Sequence, residues 1–194
     1  MSQAHHNLTV SILPASAMAS EFTGAVGDLA DLTDLTALLH ACVHAGASVG
    51  FVLPFPAAES ESFWRNNVGP AVLAGTRRLF VARLRGRIVG SGQLDIDTPP
   101  NQPHRAEVRK LLVHPDARRL GIARLLMAEL ELHAAQLGRT LLTLDTRSGD
   151  SAEPLYASLG YTKVGTIPEY CRDTDDASLR DSTTIMYKHL VSPS

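Results

Sequence analysis

Hydrophobic residues recur along the chain with two different spacings, one typical of helices and one typical of strands. Leucine at every third or fourth position over residues 29–44 predicts a helix, and Gly46 supplies its end. A similar apolar stripe predicts a helix over residues 121–137, closed by Gly138. Looser apolar spacing predicts two further helices, over residues 59–73 and 152–159.

Short apolar or alternating runs between these helices predict the strands. They cover residues 8–13, 79–84, 88–96, 106–113, 140–146, 161–167 and 183–189. The turn Arg85-Gly86-Arg87 joins the second and third runs as a hairpin. Because strands and helices are interspersed and no interdomain linker is found, the sequence predicts a single α/β domain over residues 1–194.

Composition narrows the class of protein: 44% of residues are hydrophobic, 20% are charged, and the formal net charge is −2. A nucleic-acid partner would require an extended basic patch, and a membrane span roughly 18 apolar residues in a row; neither is present. The N-terminus also lacks the order of a signal peptide, so we expect a cytoplasmic protein with free thiols at Cys42 and Cys171. Neither the cysteines nor the histidines have metal-ligand spacing, and no metal site is expected.

The segment after the strand at 106–113 carries the sharpest chemical signal. There a His-Pro turn precedes Arg118-Arg119-Leu120-Gly121-Ile122-Ala123 and then an amphipathic helix. A helix N-terminus offers unpaired N–H groups and the positive end of a dipole, which bind anions such as a pyrophosphate. Gly121 allows close approach of the backbone, while Arg118, Arg119 and Arg124 add charge. The alternative is an ordinary helix start with solvated basic residues.

Two blocks of the sequence resemble the GNAT family of N-acetyltransferases. Arg118, Gly121 and Ala123 match its Arg/Gln-x-x-Gly-x-Gly/Ala motif, although Arg119 stands where many members carry glycine. Residues 152–161 resemble its Ala-x-x-x-Tyr-x-x-x-Gly-Phe/Tyr element. The resemblance implies a GNAT-like α/β fold, in which helices flank a mixed, mostly antiparallel sheet of six or seven strands. It also implies acetyl-CoA as co-substrate.

The resemblance further implies where acetyl-CoA binds. The sheet of the family splays beside the strand at 106–113 and leaves the main chain of that strand free for the pantetheine arm and the thioester carbonyl. The implied cofactor-binding residues are Leu112, Val113, Arg118, Arg119, Leu120, Gly121, Ile122, Ala123, Arg124 and Ser151.

Acetyl transfer to an amine needs a base, since an alkyl amine is protonated near neutral pH, and an acid for the departing thiolate. By its place in the second block, Tyr156 is the candidate acid. Glu107 is the candidate base, acting directly or through water; alternatively, it pairs with Arg105 or Arg109 at a sheet edge. Strand alternation predicts two opposite faces, with Glu107, Arg109 and Leu111 on one and Ala106, Val108 and Lys110 on the other.

Asp145 is the second candidate carboxylate, because it lies near the C-terminal end of the strand at 140–146, where open sheets often place their active sites. It could instead cap the following turn. Several runs, among them residues 46–51 and Leu144-Asp145-Thr146, resemble the tabtoxin-resistance branch of the family. That resemblance implies a role for Asp145 in substrate binding or catalysis.

The acceptor predicted from this resemblance is the amine of a small molecule, for instance a toxin or an antibiotic, which would imply a resistance function. A protein substrate and an inactive acyl-CoA-binding module are the alternatives. Residues 46–50 also spell the Gly-x-Ser-x-Gly motif of serine hydrolases around Ser48, but without its strand-turn-helix context. We therefore expect a loop that lines the acceptor pocket. The sequence leaves open whether the protein forms a homodimer.

Overall fold

A seven-stranded sheet organises the chain in a computed structural model that describes residues 7–17 and 29–190. Its strands are β1 (Leu8–Ile12), β2 (Arg77–Leu84), β3 (Arg87–Asp95), β4 (Arg105–Val113), β5 (Leu141–Arg147), β6 (Thr162–Arg172) and β7 (Arg180–His189). Their spatial order is β1-β2-β3-β4-β5-β7-β6, and only β4 and β5 run parallel. The mixed, mostly antiparallel sheet is therefore confirmed. The domain bounds 1–194 extend beyond the described residues and stay a prediction.

The helices follow the predicted apolar spacing closely. They are α1 (Leu29–His44), α2 (Ala57–Phe63), α3 (Gly69–Leu73), α4 (Ile122–Gln136) and α5 (Ala152–Ser158). The helix predicted over residues 59–73 is interrupted by a π-helical turn at Trp64–Val68, where the Gly69 N–H donates to the Trp64 carbonyl. Pro70 explains the interruption, because it lacks an N–H and its ring would crowd the carbonyl four residues earlier in a regular α-helix. In the described ranges, no helix has both the length and the apolar character to cross a membrane.

Hydrophobic side chains cover both faces of the sheet. On one face, α1 and the π-helical turn bury residues such as Leu35, Leu39 and Trp64. On the other face, α4 buries Leu126 and Leu130 against β2, β3 and β4. Each fully buried side chain of this size contributes about 1.5–3 kcal/mol, so both layers stabilise the sheet. We refer to these layers as the α1-side core and the α4-side core.

The central strands β4 and β5 pair only at their beginnings. Their register runs from Arg105 opposite Leu141 to Glu107 opposite Thr143, yet β4 continues to Val113 and β5 to Arg147. Beyond Glu107 the two strands diverge, which leaves the β5-facing backbone of residues 108–113 without a strand partner. The splay implied by the family resemblance is confirmed.

A bulge in β4 reverses its side-chain alternation. Lys110 has the left-handed φ of +50°, and the β3–β4 register shifts between Ser91 and Gln93. Before the bulge, Ala106 and Val108 pack in the α4-side core.

After the bulge, Leu111 and Val113 pack against the α4-side core, while Leu112 lies in the α1-side core. Lys110 points to the α1 side as well, because its Nζ lies 6.0 Å from the centre of the Phe51 ring, which packs there. The predicted faces are thus wrong for Leu111 and Lys110: one extra residue in a strand exchanges the two sides.

The last two strands are longer than the sequence predicts. Strand β6 extends to Arg172 and β7 begins at Arg180, whereas the apolar pattern supports strands only over 161–167 and 183–189. The added residues of β6 are largely exposed and include Pro168 and Glu169, the latter with a φ of +52°. A strand end that buries no face carries no alternating pattern, so the sequence offered no signal for it.

Two glycines of β3 give a test of how closely α4 approaches the sheet. A Cβ on Gly90 would lie 2.9 Å from Ile122 Cγ2 and 3.1 Å from the Leu112 carbonyl oxygen, whereas a Cβ on Gly92 would meet Leu111 at 3.5 Å. We expect Gly90→Ala to destabilise the fold by about 1–3 kcal/mol through overpacking. Gly92→Ala should be neutral or stabilising by up to about 1 kcal/mol, because alanine suits a strand better than glycine.

Urea unfolding of both variants beside the wild type measures this difference. Equal free energies of unfolding for the two variants would contradict the close packing of α4 on Gly90.

Candidate active site

The loop between β4 and α4 holds two residues in left-handed conformations. After a 3₁₀ turn at Pro115–Ala117, Arg118 is extended, Arg119 has a φ of +67° and Gly121 a φ of +78°. Helix α4 then begins at Ile122. The conformation of Arg119 explains why glycine suits this place in the family motif, since a side chain with a Cβ costs about 1–2 kcal/mol there.

This loop presents a row of unpaired donors. The first helical bond closes from the Leu125 N–H to the Gly121 carbonyl, at 3.2 Å. Among the described residues, the backbone N–H groups from Arg119 to Arg124 donate no hydrogen bond. A Cβ on Gly121 would meet no atom within 4 Å, so the space before these donors is open. The predicted anion site therefore has unpaired backbone donors and open space for an anion in front of them.

A cleft of about 860 Å³ runs from this loop past α5 and the end of α1. Of the residues implied for the cofactor, all but Leu120 line it; Leu120 packs against the α4-side core instead. Tyr156 lines the cleft too, whereas Glu107 and Asp145 do not. Further lining residues, which were not among the implied cofactor-binding residues, are Cys42, Ala45, Gly46, Ala47, Leu111, Ala117, Arg147, Asp150, Ala152 and Leu155.

Arg147 is the most connected of these additional residues. One guanidinium nitrogen donates to the Gly46 carbonyl at 3.1 Å and to Asp150 at 3.3 Å. The other lies 3.4 Å from Asp181 and 3.6 Å from Asp173. Arg147 thereby ties the end of α1 to β5 and to the β6–β7 connection. No local pattern marks it, because its partners come from distant parts of the sequence.

Tyr156 is buried at the base of the cleft, with 6% of its surface exposed. Its ring packs edge-on against Tyr161, with 5.7 Å between the ring centres. Burial raises the pKa of the Tyr156 hydroxyl, and the negative charges of Asp145 and Asp150 raise it further. The hydroxyl therefore stays protonated at any physiological pH, as a general acid must be before it donates.

Glu107 lies between two arginines. Its carboxylate is 3.6 Å from Arg109 Nε and 3.9 Å from Arg105 Nη1, and its side chain is 38% exposed. These are the ion pairs of the structural alternative, although β4 is a central strand and not an edge. The structure therefore gives Glu107 a structural role, and its role as a base stays a prediction.

Asp145 is exposed on β5, where β5 has diverged from β4. Its Oδ2 accepts a hydrogen bond from Thr183 Oγ1 at 3.1 Å. No backbone N–H of the following turn donates to it within the described residues, so Asp145 does not cap that turn. The negative charge of Asp145 helps to raise the pKa of Tyr156, although Asp145 itself does not line the cleft.

Ser48 has no catalytic partner in the described part of the chain. Its Oγ lies 3.7 Å from Cys171 Sγ and bonds no histidine, so a hydrolase mechanism lacks its base. The Gly46–Phe51 loop that contains Ser48 does line the cleft through Gly46 and Ala47, as expected. No three acidic, histidine or cysteine side chains in the described ranges come together as a metal site could require.

Comparison with known proteins gives a consistent result. Residues 75–163 match the family model described as "Acetyltransferase (GNAT) domain". An uncharacterised N-acetyltransferase from the hisH-hisA intergenic region of Azospirillum brasilense is 37% identical over 131 residues. That alignment covers 66% of this chain and 73% of the relative.

Solved structures share the whole fold at low sequence identity. An N-acetyltransferase from Staphylococcus aureus Mu50 superposes with a TM-score of 0.73 at 16% identity, covering 95% of this chain and 99% of that one. The yncA protein from Salmonella typhimurium, solved with its cofactor acetyl-CoA, gives a TM-score of 0.70 at 17% identity. It covers 97% of this chain and 96% of that one.

Cys42 offers a test of the cleft geometry. The thiol is 1% exposed and donates to the Val113 carbonyl at 3.4 Å, and burial raises its pKa to about 11 from 9.0. In a Cys171→Ser variant, we expect N-ethylmaleimide to modify Cys42 about a hundredfold more slowly at pH 7.5 than a free thiol, since the thiolate is the nucleophile.

The same shift in the pKa of Cys42 makes a contribution to the stability of the fold that is fully present below pH 9 and is lost as the pH rises from 9 to 11.

Peptide mass spectrometry of timed samples measures the rate at which N-ethylmaleimide modifies Cys42. Modification of Cys42 as fast as that of an unfolded control would contradict this burial.

Proposed function

The chain belongs to the GNAT family of N-acetyltransferases, and on that premise we propose that it moves an acetyl group from acetyl-CoA to the amine of a small molecule. The row of unpaired N–H groups from Arg119 to Arg124, at the mouth of a cleft that ends at Tyr156, carries the proposal. An anion-binding end and a protonated acid at the base of one cleft suit a donor with a phosphate at one end and a thioester at the other.

The residues of the cleft fit acetyl-CoA in three respects. Backbone donors and the open space at Gly121 suit the pyrophosphate, and Arg118, Arg119 and Arg124 neutralise its charge. The unpaired backbone of β4 up to Val113 can hydrogen-bond the amides of the pantetheine arm. The volume of about 860 Å³ lies within the range of cofactor sites. When bound, acetyl-CoA supplies an activated acyl group.

We assign the proton transfers to groups at the base of the cleft. The amine loses its proton through water to a carboxylate and attacks the thioester carbonyl, whose C–S bond then breaks. Tyr156 protonates the departing thiolate and regains a proton from the nitrogen of the new amide, consistent with its raised pKa. Asp145 is the better placed carboxylate, because it is exposed where the strands diverge. Glu107 instead holds Arg105 and Arg109.

The narrower resemblance indicates a toxin or an antibiotic as the acceptor, and with it a resistance function. Protein N-acetylation and inactive acyl-CoA binding are the alternatives. Tyr156 favours an active enzyme over a binding module, because it lines the cleft and its hydroxyl donates no hydrogen bond to the described residues, which leaves the proton available to a ligand. A small acceptor fits the loop at Gly46–Phe51, which covers the cleft beside α1.

The loop from Arg118 to Ala123, which we call the phosphate loop, can be tested by substituting two glycines that have similar left-handed backbone conformations. Gly121 and Gly138 have φ values of +78° and +73°, and a Cβ on either meets nothing within 4 Å. Gly121→Val and Gly138→Val should therefore each cost about 1–2 kcal/mol of stability. Only Gly121→Val should weaken acetyl-CoA binding, by tenfold or more, because only Gly121 lines the cleft.

Calorimetric titration with acetyl-CoA measures both affinities. The thermal midpoint provides a second readout, since ligand at 100 times its Kd adds about 2.7 kcal/mol to the wild type. Unchanged affinity in Gly121→Val, or no binding to the wild type at millimolar acetyl-CoA, would overturn the cofactor assignment.

The acid is tested by removing one hydroxyl. Tyr156→Phe should lower kcat by about 10²- to 10⁴-fold, the usual contribution of a general acid, while the Kd for acetyl-CoA stays constant. Tyr161→Phe is the control, because its ring packs on Tyr156 but does not line the cleft. Steady-state acetylation of an accepted amine gives the comparison, and equal kcat values for the two variants would rule out Tyr156 as the acid.

A further inference from the structure

Lys110 does not itself line the cleft, but it directly precedes Leu111 and Leu112, which do. Its left-handed φ of +50° turns the side chain toward the loop at Gly46–Phe51, on the same side of the sheet as Glu107 and Arg109. The Nζ lies 6.0 Å from the centre of the Phe51 ring. A Cβ on Gly50 would come within 3.2 Å of this nitrogen, so Gly50 leaves the space that the ammonium occupies.

The ammonium of Lys110 has no partner of its own. The other two lysines of the chain form ion pairs, Lys163 with Glu153 at 2.9 Å and Lys188 with Glu131 at 2.6 Å. Within residues 7–17 and 29–190, Lys110 Nζ makes neither a hydrogen bond nor an ion pair. Burial lowers its pKa, as do the charges of Arg109 and Arg77, while Asp145 and Glu107 oppose this. A half-buried cation in such surroundings gains from an added anion.

The neighbouring arginines cannot fill the same role, because they are already paired. Arg109 lies 3.2 Å from Asp95 and 3.6 Å from Glu107, and Arg77 lies 2.8 Å from Asp95. Among the described residues, the Lys110 ammonium is therefore left as a positive charge without an ion-pair partner, next to the residues that line the cleft. A single carboxylate would balance this charge of one ammonium, whereas a phosphate with two negative charges would exceed it.

Across the gap between β4 and β5, Asp145 presents the opposite charge. Its carboxylate accepts one hydrogen bond, from Thr183, and is otherwise exposed. It faces the same side of the sheet as Lys110, because its strand neighbour Leu144 packs in the α4-side core, and its charge acts on the pKa values of both Lys110 and Tyr156. The gap between β4 and β5, next to the cleft, thus has a cation on β4 and an anion on β5.

We propose that the acceptor is an amino acid-like molecule, whose carboxylate binds Lys110 and whose ammonium first meets Asp145. This inference rests on the proposed function and narrows its substrate class. A lysine side chain within a protein has no free carboxylate on the carbon that bears its amine, so the inference also favours a small acceptor. The bulge is essential to it, because in a regular strand Lys110 would point to the α4 side.

Matched acceptors test the proposal without knowledge of the natural substrate. The panel consists of the common free amino acids and the α-carboxamide of each, which keeps the amine and removes the negative charge. Acetylated product is measured by mass spectrometry at saturating acetyl-CoA. We expect kcat/KM for the best free acid to exceed that for its amide by roughly 10- to 100-fold, the range for a charged hydrogen bond.

Variants of Lys110 assign this preference to its ammonium. Lys110→Met keeps the aliphatic stem over Phe51 and should abolish the preference, mainly through a higher KM for the free acid. Lys110→Arg should retain part of it. Lys163→Met is the control, because Lys163 is exposed and lies outside the cleft. Thermal midpoints and acetyl-CoA affinities of all variants verify that they are folded.

Three results would overturn the proposal: equal use of acid and amide by the wild type, a preference that survives in Lys110→Met, or no acetylated product from any panel member. The first and third need no variant, so misfolding of Lys110→Met cannot rescue the proposal. If acetyl-CoA binds normally in these cases, only the acceptor class is wrong. If acetyl-CoA does not bind the wild type, the proposed function falls as well.

Discussion

The structure depends on a central strand, β4, whose backbone beyond Glu107 has no strand partner on one of its two sides. Strand β4 lies in the middle of a sheet, where each strand is normally paired on both sides, yet its partner β5 leaves it after Glu107. Polar backbone groups at such a depth require partners. The surrounding elements keep this edge accessible to a ligand and do not cover it. Helix α1 ends beside it, and α4 and α5 border it from the other face of the sheet.

Close packing fixes the height of the phosphate loop above this open edge. Gly90 lets the first residue of α4, Ile122, approach the backbone of β3 closely. The free N–H groups before Ile122 are therefore positioned by the hydrophobic core and not by the loop itself. Stability and ligand recognition share this contact, since the buried methyl groups of α4 hold the donors in place.

Elements and sites formed by residues that are close together in the sequence could be predicted from it. The leucine spacing of α1 gave its bounds, and the phosphate loop was found because its donors, Gly121 and its arginines are contiguous. Prediction from sequence failed at Lys110, because the bulge there reverses the side-chain alternation of β4 without changing the apolar pattern. It also missed Cys42 and Arg147, which join the cleft through contacts more than 70 residues apart in sequence. The chemical roles of Tyr156, Glu107 and Asp145 come from the family resemblance, because position alone does not determine them.

Arg147 has a consequence for how the two ends of the cleft communicate. Its guanidinium joins Gly46 at the end of α1 to Asp150 before α5, and also to Asp173 and Asp181 around the β6–β7 connection. Ordering any one of these segments reduces the conformational entropy that the others still have to lose. Any coupling of donor and acceptor binding through this network is reciprocal, so each ligand changes the affinity of the other by the same factor. The coupling carried by this one side chain therefore has the same size whichever substrate binds first.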